Sequence, residues 1–322
     1  MHTTRRIDSR PMRALVAILA LVSARGAPQP LLRATPPSPM ETGCASSDVL
    51  DGDRMRHTKR TNTSVCACHC VFLDIGLNDG DSLLKWPHDR LLQQYLQRES
   101  PQQGSDSQRH ADAASQRARH AAAMVRECLD PLHAATTCFV GIEPNPTFTG
   151  RLRMLERHAR ARGVRVQVLT QTALALTDGH ATLFVDEKDG GVGSTLEASK
   201  KQVNQVPGKH LPGKGWRFHN HSVATVYPRK SVRTLSAAPF LRSLLAASRF
   251  VGVKLDIEGY EYALLRSLLV THPEVVCGLG ILAAEWHERM MTDNAVPAGV
   301  SVALEWLLEG PGCGVPLVRW KR

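Results

Sequence analysis

The chain has 322 residues, 43% of them apolar and only 5% aromatic. It is long enough for one large domain with appendages, and its core has to be built from alanine, leucine and valine, as in an α/β protein. The net charge of +10 does not establish a nucleic-acid binder. Much of the excess sits at Arg5, Arg6, Arg10, Arg13, Arg25 and Arg33, then at Arg54, Arg56, Lys59 and Arg60, ahead of the segments that carry the fold.

Residues 1–27 read as a targeting segment. Four arginines precede the apolar run Ala14–Val22, and small residues follow at Val22-Ser23-Ala24 and Arg25-Gly26-Ala27. The run is short for a membrane span. A cleaved secretory signal is the first reading, with a secreted or Golgi/ER-lumen protein as its consequence. An Arg-rich plastid or mitochondrial transit peptide is the second, and a signal anchor giving membrane association is the third. Residues 28–70 are rich in Pro, Ser and Arg without periodicity, and are expected to be a disordered stem. Within it, Cys66-Ala67-Cys68-His69-Cys70 lacks the Cys-x2-Cys pairs of a structural zinc site. Disulfides or plain thiols are expected instead, and no metal site is assigned. Alternate residues entering a strand should face the same way. Cys138 and Cys277 stand before apolar runs and read as buried thiols.

From Val71 onward, strands alternate with helices. Val71–Ile75 is a buried strand, and Leu91, Leu92, Tyr95 and Leu96 give a helical face. Residues 97–137 contain a polar insertion that should loop out, helical at its alanine-rich end. Cys138–Ile142 is the second strand. Phe148, Leu152, Leu155 and Ala159 form the next helix face, and Val164, Val166 and Val168 alternate as a third strand. Ala181–Val185 is a further strand. Residues 190–215 are rich in loop residues and lysine, and Leu235–Ala247 is helical. Phe250–Asp256 is a strand, followed by a helix carrying Leu264, Leu265, Leu268 and Leu269. A strand at Val276–Ala284, a helix at Val302–Leu308 and a short closing strand at Val315–Trp320 complete the chain. The alternation implies a mostly parallel sheet flanked by helices, Rossmann-like, over residues 71–322.

Chemistry-bearing residues gather at the strand ends. Asp74-Ile75-Gly76-Leu77-Asn78-Asp79-Gly80 turns the first strand into a helix, and its two glycines let backbone approach a ligand. Glu143, before Pro144-Asn145-Pro146, is placed to accept hydrogen bonds from both hydroxyls of a ribose. Lys254, Asp256 and Glu258 cluster at the end of a later strand, where an open α/β sheet binds its ligand. Glu261 reads as a helix-dipole residue. His287, in Glu285-Trp286-His287-Glu288, is a candidate base near neutral pH.

In this order, these pieces resemble the FkbM-type methyltransferase family. Val253-Lys254-Leu255-Asp256-Ile257-Glu258-Gly259-Tyr260-Glu261 is similar to its Lys-x-Asp-x-Glu-Gly-x-Glu signature. Asp74-x-Gly76-x-Asn78-x-Gly80 resembles its first cofactor loop, and Gly141–Pro146 its ribose-binding turn. Thr172-Ala173-Leu174, Asp178-Gly179 and Ala181-Thr182-Leu183 resemble the segment beside the adenine. Gly193–Leu196 and Val232–Leu235 also match the family's pattern. The resemblance implies a class I methyltransferase-type fold and S-adenosyl-L-methionine as cofactor, with methyl transfer usually to a hydroxyl oxygen. Asp74, Gly76, Asn78, Gly80, Glu143, Asn145 and Ala173 would then hold the cofactor. Asp256, Glu258, His287 and Lys254 would form the catalytic group. Two departures stand out: Gly80 and Glu143 lie much farther apart than the usual spacing of about 20 residues, and little chain remains for the last strand.

The expected acceptor is a small molecule or a glycan, not nucleic acid, and the oligomeric state is not legible. A nucleotide-binding oxidoreductase would use the same turn and acid, but the chain lacks Gly-x-Gly-x-x-Gly at that turn and a Tyr-x-x-x-Lys pair. A non-catalytic secreted protein retaining the fold is the third class, which intact acids at three strand ends disfavour. A nucleobase or glutamine N-methyltransferase would need an Asn/Asp-Pro-Pro-aromatic strand end, where this chain has Asp256-Ile257-Glu258-Gly259.

Overall fold

A computed structural model describes residues 68–98, 109–187, 190–198, 200, 210–211, 215–216, 228–291, 296 and 299–320. All of them lie in the compact unit Thr63–Arg322. The targeting segment and the stem through residue 67 fall outside the described residues.

The centre is a six-stranded sheet whose strands all run parallel. β1 (Cys70–Ile75) lies between β2 (Thr137–Glu143) and β9 (Phe250–Leu255). β3 (Arg165–Thr170) closes one edge, while β10 (Ile281–Ala284) and β11 (Leu317–Arg319) close the other. Every residue of β1 and β9 is buried, as expected of parallel strands covered on both faces. Because alternate side chains point to opposite faces, Val71, Leu73 and Ile75 enter one core and Cys70 and Phe72 the other. Helices α4 (Ala237–Ala247), α5 (Glu261–Thr271), α6 (Pro273–Cys277) and α7 (Val300–Glu309) cover the first face. Helices α1 (Arg90–Arg98), α2 (Arg109–Leu129) and α3 (Thr149–Ala161) cover the second.

A smaller sheet of β4 (Thr172–Ala175), β8 (Arg229–Ser236) and β5 (Gly179–Phe184) follows β3. β8 is central, parallel to β4 and antiparallel to β5. A two-residue ladder pairs β6 (His210–Leu211) with β7 (Gly215–Trp216).

The structure departs from the sequence expectations at several points. Val276–Ala284 is not one strand: Pro273 starts α6, and the strand begins only at Ile281. The helix expected from Leu235 starts at Ala237, because Leu235 still belongs to β8. The segment read as a looping insertion contributes α2, which buries Ala118, Ala121, Ala122, Met124, Val125 and Cys128 against the sheet. Cys138 and Cys277 are not thiols: disulfides join Cys68 to Cys138, Cys70 to Cys128 and Cys277 to Cys313. Cys68 and Cys70 do not share a face either. Cys68 precedes β1 and packs with the first core, whereas Cys70 packs with the second.

Candidate active site

The chain leaves β1 to neighbour β2 on one side and β9 on the other, so the carboxyl ends of these three strands open a crevice. The first turn is built for close approach. Gly76 has φ +85°, and a Cβ there would stand 1.6 Å from the Asp256 carbonyl oxygen, so only glycine lets the turn pass the end of β9. Asn78 follows in a left-handed conformation, φ 51°.

Glu143 ends β2 almost fully buried. Its Oε2 accepts the Asn78 N–H and its Oε1 accepts the Asn145 N–H, both at 2.7 Å. Burial pushes this carboxyl up to about 8, against the pull of the two backbone N–H groups. Each oxygen retains a second lone pair toward the crevice. Gly76, Asn78, Glu143, Asp256 and Glu258 line one side of the crevice, and Ala173, Leu174, Leu183 and Leu196 supply apolar surface. Ser194 and Thr195 also line it. They belong to a strap anchored to the Pro144-Asn145-Pro146 turn, where Asn145 Nδ2 donates to the Gly191 carbonyl and to Ser194 Oγ, each at 3.1 Å.

Beyond β9 the signature acids form one network. Lys254 is wholly buried in the strand, and its Nζ donates to Asp74 Oδ1 at 3.2 Å and to Asp256 Oδ2 at 3.3 Å. Burial pushes the Asp74 carboxyl up, and the Lys254 ammonium opposes that rise. Glu258 sits at φ 58°, a conformation that costs a non-glycine residue about 1–2 kcal/mol. Its carboxylate accepts from the buried Lys200, whose Nζ also donates to the Gly193 carbonyl at 3.0 Å. His287 is buried, with Nδ1 on Glu261 Oε1 at 2.7 Å. Its Nε2 lies 3.8 Å from Asp256, 3.6 Å from Glu258 and 3.8 Å from Glu285. Burial works against the imidazolium, but the Glu261 hydrogen bond and the charges of Glu261, Glu258 and Asp256 outweigh it and lift His287 to about 9. The imidazole therefore enters neutral pH protonated, not as the ready base that its sequence position suggests.

Not every residue singled out from sequence reaches the crevice wall. Gly76, Asn78, Glu143, Ala173, Asp256 and Glu258 do. Asp74 and Lys254 are neighbours within the sheet, aligned in register, and support Asp256 from behind. Gly80 faces helix α3, where a Cβ would meet Leu155 at 2.7 Å, so its smallness serves packing. Asn145 is a buried anchor for the strap. Glu261 is more than a dipole residue: its Oε2 accepts the Gly259 N–H and its Oε1 fixes His287. Lys200 was not foreseen, because one lysine in a lysine-rich loop carries no local signal.

A parallel Rossmann-like sheet with an acid clamped at the end of its second strand, and an acidic cluster at the end of its fourth, is the fold of class I methyltransferases. The chain belongs to the FkbM methyltransferase family: the family model described as "Methyltransferase FkbM domain" matches residues 110–294. That span is more than half of the chain, and it includes helix α2. No curated protein and no solved structure matches the chain.

Proposed function

We propose that this methyltransferase uses S-adenosyl-L-methionine to methylate a hydroxyl oxygen of a small molecule or glycan. The observation that carries this reading is Glu143, a buried carboxyl oriented by two backbone N–H groups in a crevice that Ala173, Leu174, Leu183 and Leu196 also line. Such a carboxylate suits the vicinal hydroxyls of a ribose. Ala173, Leu174 and Leu183 would pack an adenine, while the Gly76–Asn78 turn would face the amino-acid end. When bound, S-adenosyl-L-methionine supplies a methyl whose bonding electrons stay on sulfur as the carbon passes to oxygen. Asp256 and Glu258 hold the acceptor hydroxyl in line, and one of the two carboxylates receives its proton. Lys254 and Lys200 fix those two carboxylates in place.

We place the protein in the secretory pathway. The three disulfides among the described residues suit an oxidising compartment. Among the described residues no helix is long and apolar enough to cross a membrane, so membrane association would rest on the N-terminal apolar segment.

Calorimetry on the full chain with S-adenosylhomocysteine and with NADH tests the cofactor. The first should bind and raise the melting temperature by mass action, and the second should do nothing. Binding of NADH alone would favour an oxidoreductase and sink the proposal. Incubation of a cell extract with methyl-labelled cofactor, followed by mass spectrometry, identifies the acceptor.

A further inference from the structure

We propose that Asp256, Glu285 and His287 form a binding site for a divalent metal ion, of the Mn2+ or Zn2+ kind, beside the crevice wall at Asp256. One ligand atom from each of the three residues lies within 4.8 Å of the others. Ligands held about 2.0–2.2 Å from one ion stand up to roughly 4 Å apart, so a small inward movement closes the set. His287 Nε2 is already 3.8 Å from both carboxylates, too long for hydrogen bonds and close to the separation of two ligands on one ion.

The setting differs from a solvated acidic patch. Asp256 and His287 are buried, and Glu285 is half-buried. The imidazole is held as a metal ligand is held. Glu261, fully buried at the start of α5, accepts from Nδ1 at 2.7 Å and is itself fixed by the Gly259 N–H at 2.9 Å. A carboxylate on the distal nitrogen turns Nε2 toward the ion, which would bind there in place of the imidazolium proton. Lys254 takes Asp256 at Oδ2, whereas the atom nearest His287 is Oδ1. The backbone contributes as well: the Glu285 N–H bonds the Leu255 carbonyl at 3.0 Å, which seats Glu285 beside the end of β9. Two carboxylate oxygens and one imidazole nitrogen suit Mn2+ or Zn2+ better than the all-oxygen ion Ca2+.

The role of the ion rests on the methyl-transfer reading. Beside Glu258 it would bind the acceptor hydroxyl and make its proton easier to lose. Its binding does not depend on that reading.

The test uses the full chain after chelator treatment, titrated with MnCl2 and, in competition, ZnCl2. Electron paramagnetic resonance should report one tight Mn2+ site, with spin-echo modulation from one imidazole nitrogen. Glu285→Gln should weaken Mn2+ at least tenfold while S-adenosylhomocysteine still binds, which shows that the variant is folded. The spectroscopic signature in the unaltered chain stands even where that variant fails to fold. Absence of Mn2+ and Zn2+ binding, a signal without imidazole nitrogen, or unchanged Mn2+ affinity in Glu285→Gln overturns the site. Loss of S-adenosylhomocysteine binding with Mn2+ binding intact overturns the cofactor reading alone.

Discussion

Cofactor binding should be tied to the ionisation of Glu143. In the cofactor-free protein burial holds this carboxyl at about 8, so it is mostly protonated at neutral pH. Accepting two hydroxyl hydrogen bonds requires the ionised form, each such bond contributing about 1.5–3 kcal/mol. Binding must then expel one proton from a group near 8, so affinity is about 100-fold below its alkaline limit at pH 6 and about tenfold below it at pH 7. Calorimetry with S-adenosylhomocysteine in phosphate and in Tris, from pH 6 to 9, measures both effects. Affinity should rise about tenfold per pH unit and level off above 8, with buffer-dependent heat corresponding to one proton released. Glu143→Gln should bind at least tenfold more weakly at pH 8 and show no pH dependence, since its amide cannot accept from both Asn78 and Asn145. A flat profile with no proton release in the unaltered chain refutes the reasoning. The stability of the cofactor-free protein carries the same sign. A raised carboxyl stabilises below its ordinary 4.5 and loses that contribution as pH rises through about 8. The raised imidazole stabilises below its ordinary 6.5 and loses that contribution as pH rises through about 9. The melting temperature should therefore fall between pH 5 and 9 and recover when ligand is added.

The Cys70–Cys128 bridge spans 58 positions, but Cys68–Cys138 already encloses it, so it closes a further loop of only about a dozen residues, for which chain entropy gives about 3 kcal/mol. A Cys70→Ser/Cys128→Ser variant should melt well below the parent, and an unchanged melting temperature would show that α2 docks without its staple. Lys254→Met leaves two buried carboxylates facing each other without a cation and should cost about 3–5 kcal/mol in urea denaturation. A loss below 1 kcal/mol would mean that Asp74 and Asp256 are not held as a pair by this lysine.

The sequence was most legible where local chemistry and long apolar runs agree. β1, β2 and β9 are continuous buried runs ending in glycine or acid, and their motifs stand at the ends that open the crevice. α2 was illegible because its buried stripe consists largely of alanines among Gln, Arg and His, so its composition resembles a solvated insertion. The end of α6 reads as the start of a strand because Val276 favours strands, although Pro273 at the helix's first turn marks a helix start. β8 was missed because Arg229, Lys230, Ser231 and Arg233 are exposed and leave too few apolar residues to show alternation. The disulfide partners are separated by 36 to 70 positions, a pairing that spacing alone does not fix.

The same reasoning explains why the site has two lysines of unequal visibility. Lys254 lies inside a strand, where a lone charge is so costly that its neighbours must be carboxylates, and the motif Lys254-x-Asp256 announces one of them. Lys200 arrives from a strap whose course is decided by tertiary contacts. At one end the strap is held by Asn145, two residues from the ribose-type acid; at the other, Lys200 reaches Glu258 and bridges to Met291 beyond β10. Ser194 and Thr195, between these anchors, line the crevice. The left-handed backbone of Glu258 thus persists because an ion pair from another element holds its side chain, as strained residues at functional sites require. One strap therefore touches both the turn that presents Glu143 and the carboxylate of Glu258, so the geometry of these two parts of the crevice is set together.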